Sequence, residues 1–542
     1  MNSGFRWLLP ACLLLNAAEP PAVQFRDVAE AAGIRFVNDN APSPQKLMIE
    51  TMSGGMAAFD YNGDGRTDLF FTNGAALPSM KKDGPRFWNR LYRNDGGMKF
   101  TDVTEAAGLA GEGYAMGAAA ADYDNDGRVD LFVANVGNSR LYRNLGDGKF
   151  EDVTTRSGVA DDWWAVAGNW LDYDNDGLLD LWVTHYAKWP PDMDRYCGDQ
   201  ARDIRVYCHP KYFQGLPNRL YHNLGNGRFA EVTRESGLGA HAGRGMGVAS
   251  ADYDGDGLMD VFVTNDNEPN FLFRNLGQGK FEEVGLVAGV ALLDSGKPVA
   301  SMGCDFRDYD NDGWPDIVYP DLYRETFPLF RNTGKGGFVD ATYASQLGKL
   351  TANLSGWGVG LFDFDLDGWK DLFVSCAHVN DRVEQFEPTV YRLRNSIFLN
   401  KDGVFRDASP SAGESFQAAR AHRGVAFADF NGDGRVDVSV SSLLDQAELW
   451  ENVTQTGGEW LIVRLQGVRA NRDGIGAKLK WGKQWNVMTS GAGYSSSSHF
   501  GVHFGVPKGQ APGTLEIWWP GGRKQVVSGV KPNQVLVVRE EP

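Results

Sequence analysis

Short apolar runs rich in Val, Phe, Leu and Trp recur along the chain between clusters of Asp, Asn and Gly. Long stretches of helical periodicity are hard to find. In a representative unit the runs are "MGAAAADY", "VDLFVAN", "RLYRN" and "KFEDV", separated by an Asp-rich turn, a loop and a Gly turn. β-Branched and aromatic side chains pack on pleated surfaces and Gly supplies the turns, so each unit predicts four short antiparallel strands.

The unit repeats. A nine-residue segment beginning "DYDNDG" or a close variant starts at Asp60, Asp122, Asp172, Asp252, Asp308, Asp363 and Asp429. A second pattern alternates with it, a Phe followed two residues later by an acid, at Phe25, Phe100, Phe150, Phe229, Phe281, Phe338 and Phe405. Four-stranded units repeated seven times predict an all-β, seven-bladed β-propeller. The first Phe strand has no Asp loop before it, and the last Asp loop has no Phe strand after it. The expectation is therefore that Phe25 to Val28 closes the ring as the outer strand of the last blade, removing two open edges.

In the nine-residue segment, positions 1, 3, 5 and 9 are Asp, except for Asn62 and Asn431 at position 3; position 6 is always Gly and position 2 always aromatic. Hard cations take oxygens from alternating side chains, and Gly permits the tight turn. Carboxylates about 4 Å apart repel by roughly 1 kcal/mol per pair even in water, so an empty ordered loop is strained. The candidate calcium ligands are Asp60, Asn62, Asp64 and Asp68; Asp122, Asp124, Asp126 and Asp130; Asp172, Asp174, Asp176 and Asp180; Asp252, Asp254, Asp256 and Asp260; Asp308, Asp310, Asp312 and Asp316; Asp363, Asp365, Asp367 and Asp371; and Asp429, Asn431, Asp433 and Asp437. An EF-hand would need Glu at position 12, where this chain has Phe71, Tyr319 or Val. The formal net charge is −17; seven divalent ions add fourteen positive charges and leave −3. Such an acidic chain does not suit a nucleic-acid partner.

These repeats resemble the FG-GAP or VCBS family, whose loops also occur in integrin α-subunit propellers, over residues 25–452. The resemblance implies calcium held by side chains at positions 1, 3, 5 and 9 with the carbonyl of position 7, for example Leu178, and up to seven ions. Residues 457–542 read as a small C-terminal β domain, with strands in "WLIVRLQG", "GAKLKW", "WNVMTSG", "LEIWWPGG" and "VLVV". The segments "NRDGIGAKLKW", "SGAGYSSSSHFGVHFGV" and "WWPGGRKQ" resemble the ASPIC and UnbV domain, which follows such repeats in the family of cartilage acidic protein. Asp473, His499 and Ser495 to Ser498 are residue types of a hydrolase, yet no nucleophile-elbow motif accompanies them, and polar turns account for them.

Residues 1–18 read as a signal peptide, with Arg6 ahead of an apolar run, which predicts a secreted, extracellular or periplasmic protein. Cys12 offers a poor lipoprotein site. No other run reaches the ~20 apolar residues of a membrane helix. In an exported chain Cys197 and Cys208 predict a disulfide within one loop, a zinc site with His209 lacking further ligands. Cys304 and Cys376, inside apolar runs, read as buried thiols. The aromatics of the long segment after Asp180 (Trp189, Tyr196, Tyr207, Tyr212, Phe213) suit a contact surface and equally suit packing on their own blade. His185 and His378 begin blade loops, where they could line a binding face or serve as loop contacts.

The functional expectation is a calcium-binding propeller that acts on a protein or glycan ligand as an interaction module, with no catalytic constellation. The alternative is an extracellular polysaccharide hydrolase or lyase on the propeller face. Two acids close together outside the loops, with raised pKa, would favour it.

Overall fold

The computed structural model describes residues 23–190, 195–509 and 513–542. The expected signal peptide and Cys12 lie outside the described residues. Among those residues, no helix is long and apolar enough to cross a membrane.

Each repeat forms one four-stranded antiparallel sheet, and the second shows why. Ala115–Ala121 and Asp130–Asn135 are buried along their whole length, Arg140–Gly146 alternates, and Lys149–Asp152 buries little besides Phe150. Small and apolar residues thus fill the strands covered on both faces, and polar residues enter as the sheet runs outward. Sheets of this pattern number seven among the described residues. Their first strands lie side by side in a ring: Met56–Phe59, Ala115–Ala121, Ala165–Leu171, Gly245–Ala251, Asp305–Arg307, Gly356–Phe362 and His422–Ala428, the last touching the first. Closure occurs as expected: Phe25 pairs with Asn452, Arg26 with Glu451 and Asp27 with Trp450. One-turn helices follow several outer strands, as at Thr154–Ser157, each ended by a left-handed Gly. Gly158 has φ 84°, and a Cβ there would stand 2.8 Å from the Phe229 carbonyl of the next blade, so no other residue fits.

The C-terminal region packs two sheets. Glu459–Gln466 lies between Val502–Val506 and the parallel strand Gln534–Arg539, while Lys478–Trp481 lies between Gln484–Val487 and Gly513–Trp518, with Lys524–Val530 beyond. The expected strands are present, and two more come from "FGVHFGV" and "KQVVSGV". A continuous buried apolar cluster runs from Trp170 and Leu179 of the third blade into Leu465, Ile475 and Met488.

Ser495 to Ser498 correct the expectation of polar turns. They are buried inside the ring of first strands, where Ser497–His499 pairs in parallel with Ala57–Phe59. First strands of a propeller present unpaired N–H groups to the axis, and burial without a partner is costly. Here Ser496 Oγ accepts from Met56 N at 3.2 Å, Ser497 Oγ from Ala120 N at 3.2 Å, Ser498 Oγ from Phe427 N at 3.0 Å, and the Ser495 carbonyl from Ala118 N at 3.0 Å. Cys304 and Gly493 exchange backbone hydrogen bonds, and Tyr494, fully buried, donates to the Met52 carbonyl at 2.7 Å. Close approach requires glycine in the blades: a Cβ on Gly55 would stand 2.2 Å from the Ser495 carbonyl oxygen, and one on Gly117 2.8 Å from it.

The opposite mouth is covered by the long loop of the third blade. Its expected disulfide joins Cys197 and Cys208. Tyr207 donates to Glu50 ahead of the first blade at 3.2 Å, and Lys46 sits over the Tyr207 ring while pairing with Asp381 of the sixth. Trp189 packs edge-on against Trp164, and Phe213 against Tyr186, whereas Tyr212 stays exposed. The aromatics therefore serve mainly as a lid on the propeller. Cys304 and Cys376 are free and buried, as expected.

Candidate metal centres

Each Asp loop joins the first and second strands of its blade, so position 1 ends one strand and position 9 begins the next. In the second loop, Asp122 accepts from Asp126 N at 3.0 Å and Gly127 N at 2.7 Å, and Asp126 accepts from Arg128 N at 3.0 Å. Position 9 is tied to the sheet. Asp260 accepts from Tyr253 N at 3.1 Å and Asn275 N at 2.8 Å, and the same two bonds hold Asp68, Asp316, Asp371 and Asp437. Gly at position 6 sits at φ 86° to 94° in all seven loops, which turns the carboxylates onto one point.

Carboxylate oxygens converge accordingly. Asp122, Asp124 and Asp130 bring one oxygen each within 4.8 Å of one another, as do Asp252, Asp254 and Asp260, and Asp308, Asp310 and Asp316. In the third loop Asp172, Asp174 and Asp176 form one such group, while Asp174 and Asp180 form another with His222. His222 stands where four other blades carry Arg (Arg93, Arg143, Arg274 and Arg331), with Nδ1 3.1 Å from Asp180. Several oxygens are buried with no hydrogen-bond partner: Asp124 Oδ1, Asp130 Oδ2, Asp174 Oδ1, Asp308 Oδ1 and Asp365 Oδ1. Buried carboxylates are ordinarily satisfied, so these point to a missing positive charge.

The electrostatics agree. Burial, with the charge of Asp473, lifts Asp122 to about 7; burial and Asp180 lift Asp172 to about 7. Burial takes Asp68 to about 8, and raises Asp130, Asp260, Asp316, Asp363, Asp371 and Asp437 well above the carboxylate range. An all-oxygen, acid-rich donor set of this kind fits a hard divalent cation. The first and last loops differ in their Asn: Asn62 and Asn431 donate to Asp64 and Asp433 at 3.0 and 2.9 Å. Arg66 and Arg435 pair with the same two acids, as Arg128 does with Asp126 in the second loop, where Arg143 also reaches Asp124 and Asp126, so part of the charge in these loops is answered by the chain itself.

One residue type escaped the sequence reading although it stood in the quoted "LYRN" motif. The Asn ending each third strand donates to its own loop and to the preceding blade's. Asn144 Nδ2 bonds the carbonyls of Val129 and Tyr61, and Asn275 those of Met259 and Tyr173. The series closes with Asn94, which reaches Phe430 of the last blade at 2.9 Å. These amides make a circular chain of loops.

The C-terminal region docks on the same face. Arg464 reaches the Gly65 carbonyl at 3.0 Å, Asp473 accepts from Asp122 N at 2.8 Å, Lys478 donates to the Gly313 carbonyl, Lys370 donates to the Trp485 carbonyl at 2.8 Å, and His503 bonds the Gly434 carbonyl at 2.9 Å. His499 does pair with Asp473, at 3.0 Å, but the hydroxyls of Ser496, Ser497 and Ser498 accept from the first strands, and Ser495 meets them through its carbonyl. Of the two blade histidines, His185 is buried against Asp161 at 2.7 Å and His378 is buried. Outside the loops burial raises Asp27, Glu50, Asp305, Asp266, Asp321 and Glu325, and the last three, together on the far face, lie near enough that the charge of Glu325 also lifts Asp266 and Asp321. Asp321 is fully buried, Asp266 is bonded to Tyr186 and Asn267, and Glu325 alone of the three lines a cavity there.

The sequence matches the FG-GAP-like repeat over residues 60–133, 122–183, 198–263, 252–319, 308–374 and 389–440. The chain belongs to the FG-GAP-like repeat family. The FG-GAP-like repeats are followed by a match to ASPIC and UnbV at residues 467–542. Cartilage acidic protein 1 of Xenopus tropicalis is 27% identical over 310 residues, covering 54% of this chain and 44% of that protein. The Homo sapiens protein is 26% identical over 322 residues, covering 57% and 46%. This FG-GAP-like chain thus spans less than half the length of these curated relatives. Among solved structures, an Agrocybe aegerita lectin that recognises non-reducing terminal N-acetylglucosamine shows 14% identity and a TM-score of 0.40, covering 73% of this chain and 87% of that one. A Bacillus licheniformis rhamnogalacturonan lyase shows 13% identity and a TM-score of 0.37, covering 79% and 75%. Likeness at that level says nothing of activity.

Proposed function

We propose that the protein is a secreted β-propeller whose Asp loops bind calcium and whose role is to hold a protein or glycan ligand rather than to catalyse a reaction. The observation that carries the calcium reading is the buried, unpartnered carboxylate oxygens of the second, third, fifth and sixth loops, together with the carboxylates that converge in the second to fifth. The proposed ligands are the side chains at positions 1, 3, 5 and 9 of each loop, with the position-7 carbonyl. Calcium would neutralise them and leave strands and loops as one rigid ring. A disulfide in the long loop suits an oxidising compartment, which supports export. Asp266, Asp321 and Glu325 do lie near one another, but Asp321 is fully buried, Asp266 is bonded to Tyr186 and Asn267, and Glu325 alone of them lines a cavity, which leaves the polysaccharide-cleaving alternative one accessible acid rather than a pair.

Calcium content measured on the purified protein, and its melting temperature with and without excess chelator, test the metal. A ligand that binds only the folded state adds about 4 kcal/mol at a thousandfold excess over Kd for each site, so chelation is expected to lower the melting temperature clearly. Asp176→Ala is expected to reduce the bound calcium by one ion. An unchanged melt in chelator, or unchanged stoichiometry in the variant, refutes the assignment.

A further inference from the structure

A cavity of about 440 Å³ lies between the fourth and fifth Asp loops and the outer face of the C-terminal sheet. Its size falls in the ordinary range of ligand pockets, about 300–1,000 Å³. The fourth loop, like the second, is open: a Cβ on Gly257 or Gly127 would meet nothing within 4 Å, whereas one on the matching glycine would stand 2.3 Å from Arg469 in the third loop, 3.1 Å from Trp485 in the fifth and 2.0 Å from Trp460 in the seventh.

One wall of the cavity is aromatic. Cross-strand pairing sets Lys480 opposite Trp485, Lys478 opposite Trp518, and Trp518 opposite Lys524, so these side chains share the outward face of one sheet. The Trp485 and Trp518 rings lie 5.2 Å apart at 30° and make one half-buried platform. The hydrophobic core of the domain takes Trp481 and Trp519 instead; outside it, Trp485 lies over Gly313 with the Lys478 and Lys480 ammoniums 4.7 and 4.6 Å from its ring centre, and Lys524 stands 4.5 Å from that of Trp518, flexible cations that a ligand can displace from the indole faces. The opposite wall carries Asp252, Asp256, Asn175 and Asp308.

We propose that this cleft is a saccharide-binding site, receiving the end of a glycan with a sugar ring stacked on Trp485 and Trp518. The inference rests on the interaction-module reading and names its site. A pyranose ring offers an apolar C–H face to an indole and hydroxyl groups around its edge. The cleft pairs an indole wall with a wall of loop oxygens; with calcium bound, Asp252, Asp256 and Asp308 would still accept from sugar hydroxyls through their outward lone pairs, beside the Asn175 amide. A purely apolar ligand would leave those polar groups unsolvated.

The test uses the full chain in calcium. Immobilised neutral gluco- and galacto-oligosaccharides, N-acetylglucosamine oligomers and polyuronates are the probes, with tryptophan fluorescence as the solution readout. At least one probe is expected to bind and to protect tryptophan from acrylamide quenching. Trp485→Ala and Trp518→Ala, with melting temperature and calcium content unchanged, are expected to weaken that binding more than tenfold, and Tyr212→Ala on the far face to leave it intact. Binding that survives both tryptophan changes overturns the cleft while leaving glycan recognition in place. A calcium-loaded protein that binds none of the probes, or binds only a peptide there, overturns the saccharide assignment. Quenching protection in the unaltered chain keeps the inference testable should either variant fail to fold.

Discussion

The Asp loops and the segment Thr489–His499 answer one architectural problem, the satisfaction of backbone groups at the ends and inner edges of the blades, in two ways. A loop answers its backbone within nine residues, position 1 capping positions 5 and 6 and position 9 capping position 2. The axial segment draws hydrogen bonds from the first, second, fifth and seventh blades. A local solution can be copied seven times by repeating a sequence. A solution spread over four blades can be written only once, in a segment that resembles nothing else in the chain.

The contrast predicts graded consequences. Ending the chain after residue 452 strips partners from the axial N–H groups and exposes Trp357, Met116 and Trp164 around the axis. That truncation is expected to abolish a soluble, cooperatively melting monomer, as read by size exclusion and calorimetry. A truncated chain melting like the full one would show that the axial segment is dispensable. Tyr494→Ala empties a fully buried aromatic site and is expected to cost about 3–5 kcal/mol in denaturant unfolding. A loss below 1 kcal/mol would mean that the segment does not anchor the ring.

Asn275→Ala probes the repeated side of the comparison. It leaves the Tyr173 and Met259 carbonyls without their donor, so a cost of about 1–3 kcal/mol is expected. The damage should stay with the third and fourth blades in hydrogen exchange. Exchange that accelerates around the whole ring would show that the amide chain, rather than each blade, is the cooperative unit. Smallest is Tyr212→Ala, an exposed ring on the disulfide loop, expected to change stability by no more than about 0.5 kcal/mol.

Much of the architecture was legible. Short apolar runs between turn residues gave the strands, the displaced Phe25 segment gave the closure, and Asp at fixed positions around an invariant Gly gave the loops. Other features were present but silent. The Asn of "RLYRN" reads only as the end of a strand, since nothing local shows that its amide spans two blades. A glycine stands five residues before the first Asp of six loops: Gly55, Gly117, Gly247, Gly303, Gly358 and Gly424. None of these has the positive φ that usually explains a recurring glycine. Their meaning is crowding at the axis, a signal that something occupies it. Ser495 to Ser498 were misjudged because a serine run reads as solvated, and only the axis provides buried N–H groups for it.

The sequence alone determined the repeat, its four strands, the acidic loops and the paired cysteines, because each depends on residues within one unit. Tertiary structure decided the rest: which face the C-terminal sheets cover, the filling of the axis, the link from each Asn to the neighbouring blade, and the cleft over the fourth loop. These arise where surfaces from distant segments meet. Steric fit and hydrogen-bond satisfaction between such surfaces are properties of the assembled ring, and they leave only scattered glycines, serines and tryptophans as their trace in the chain.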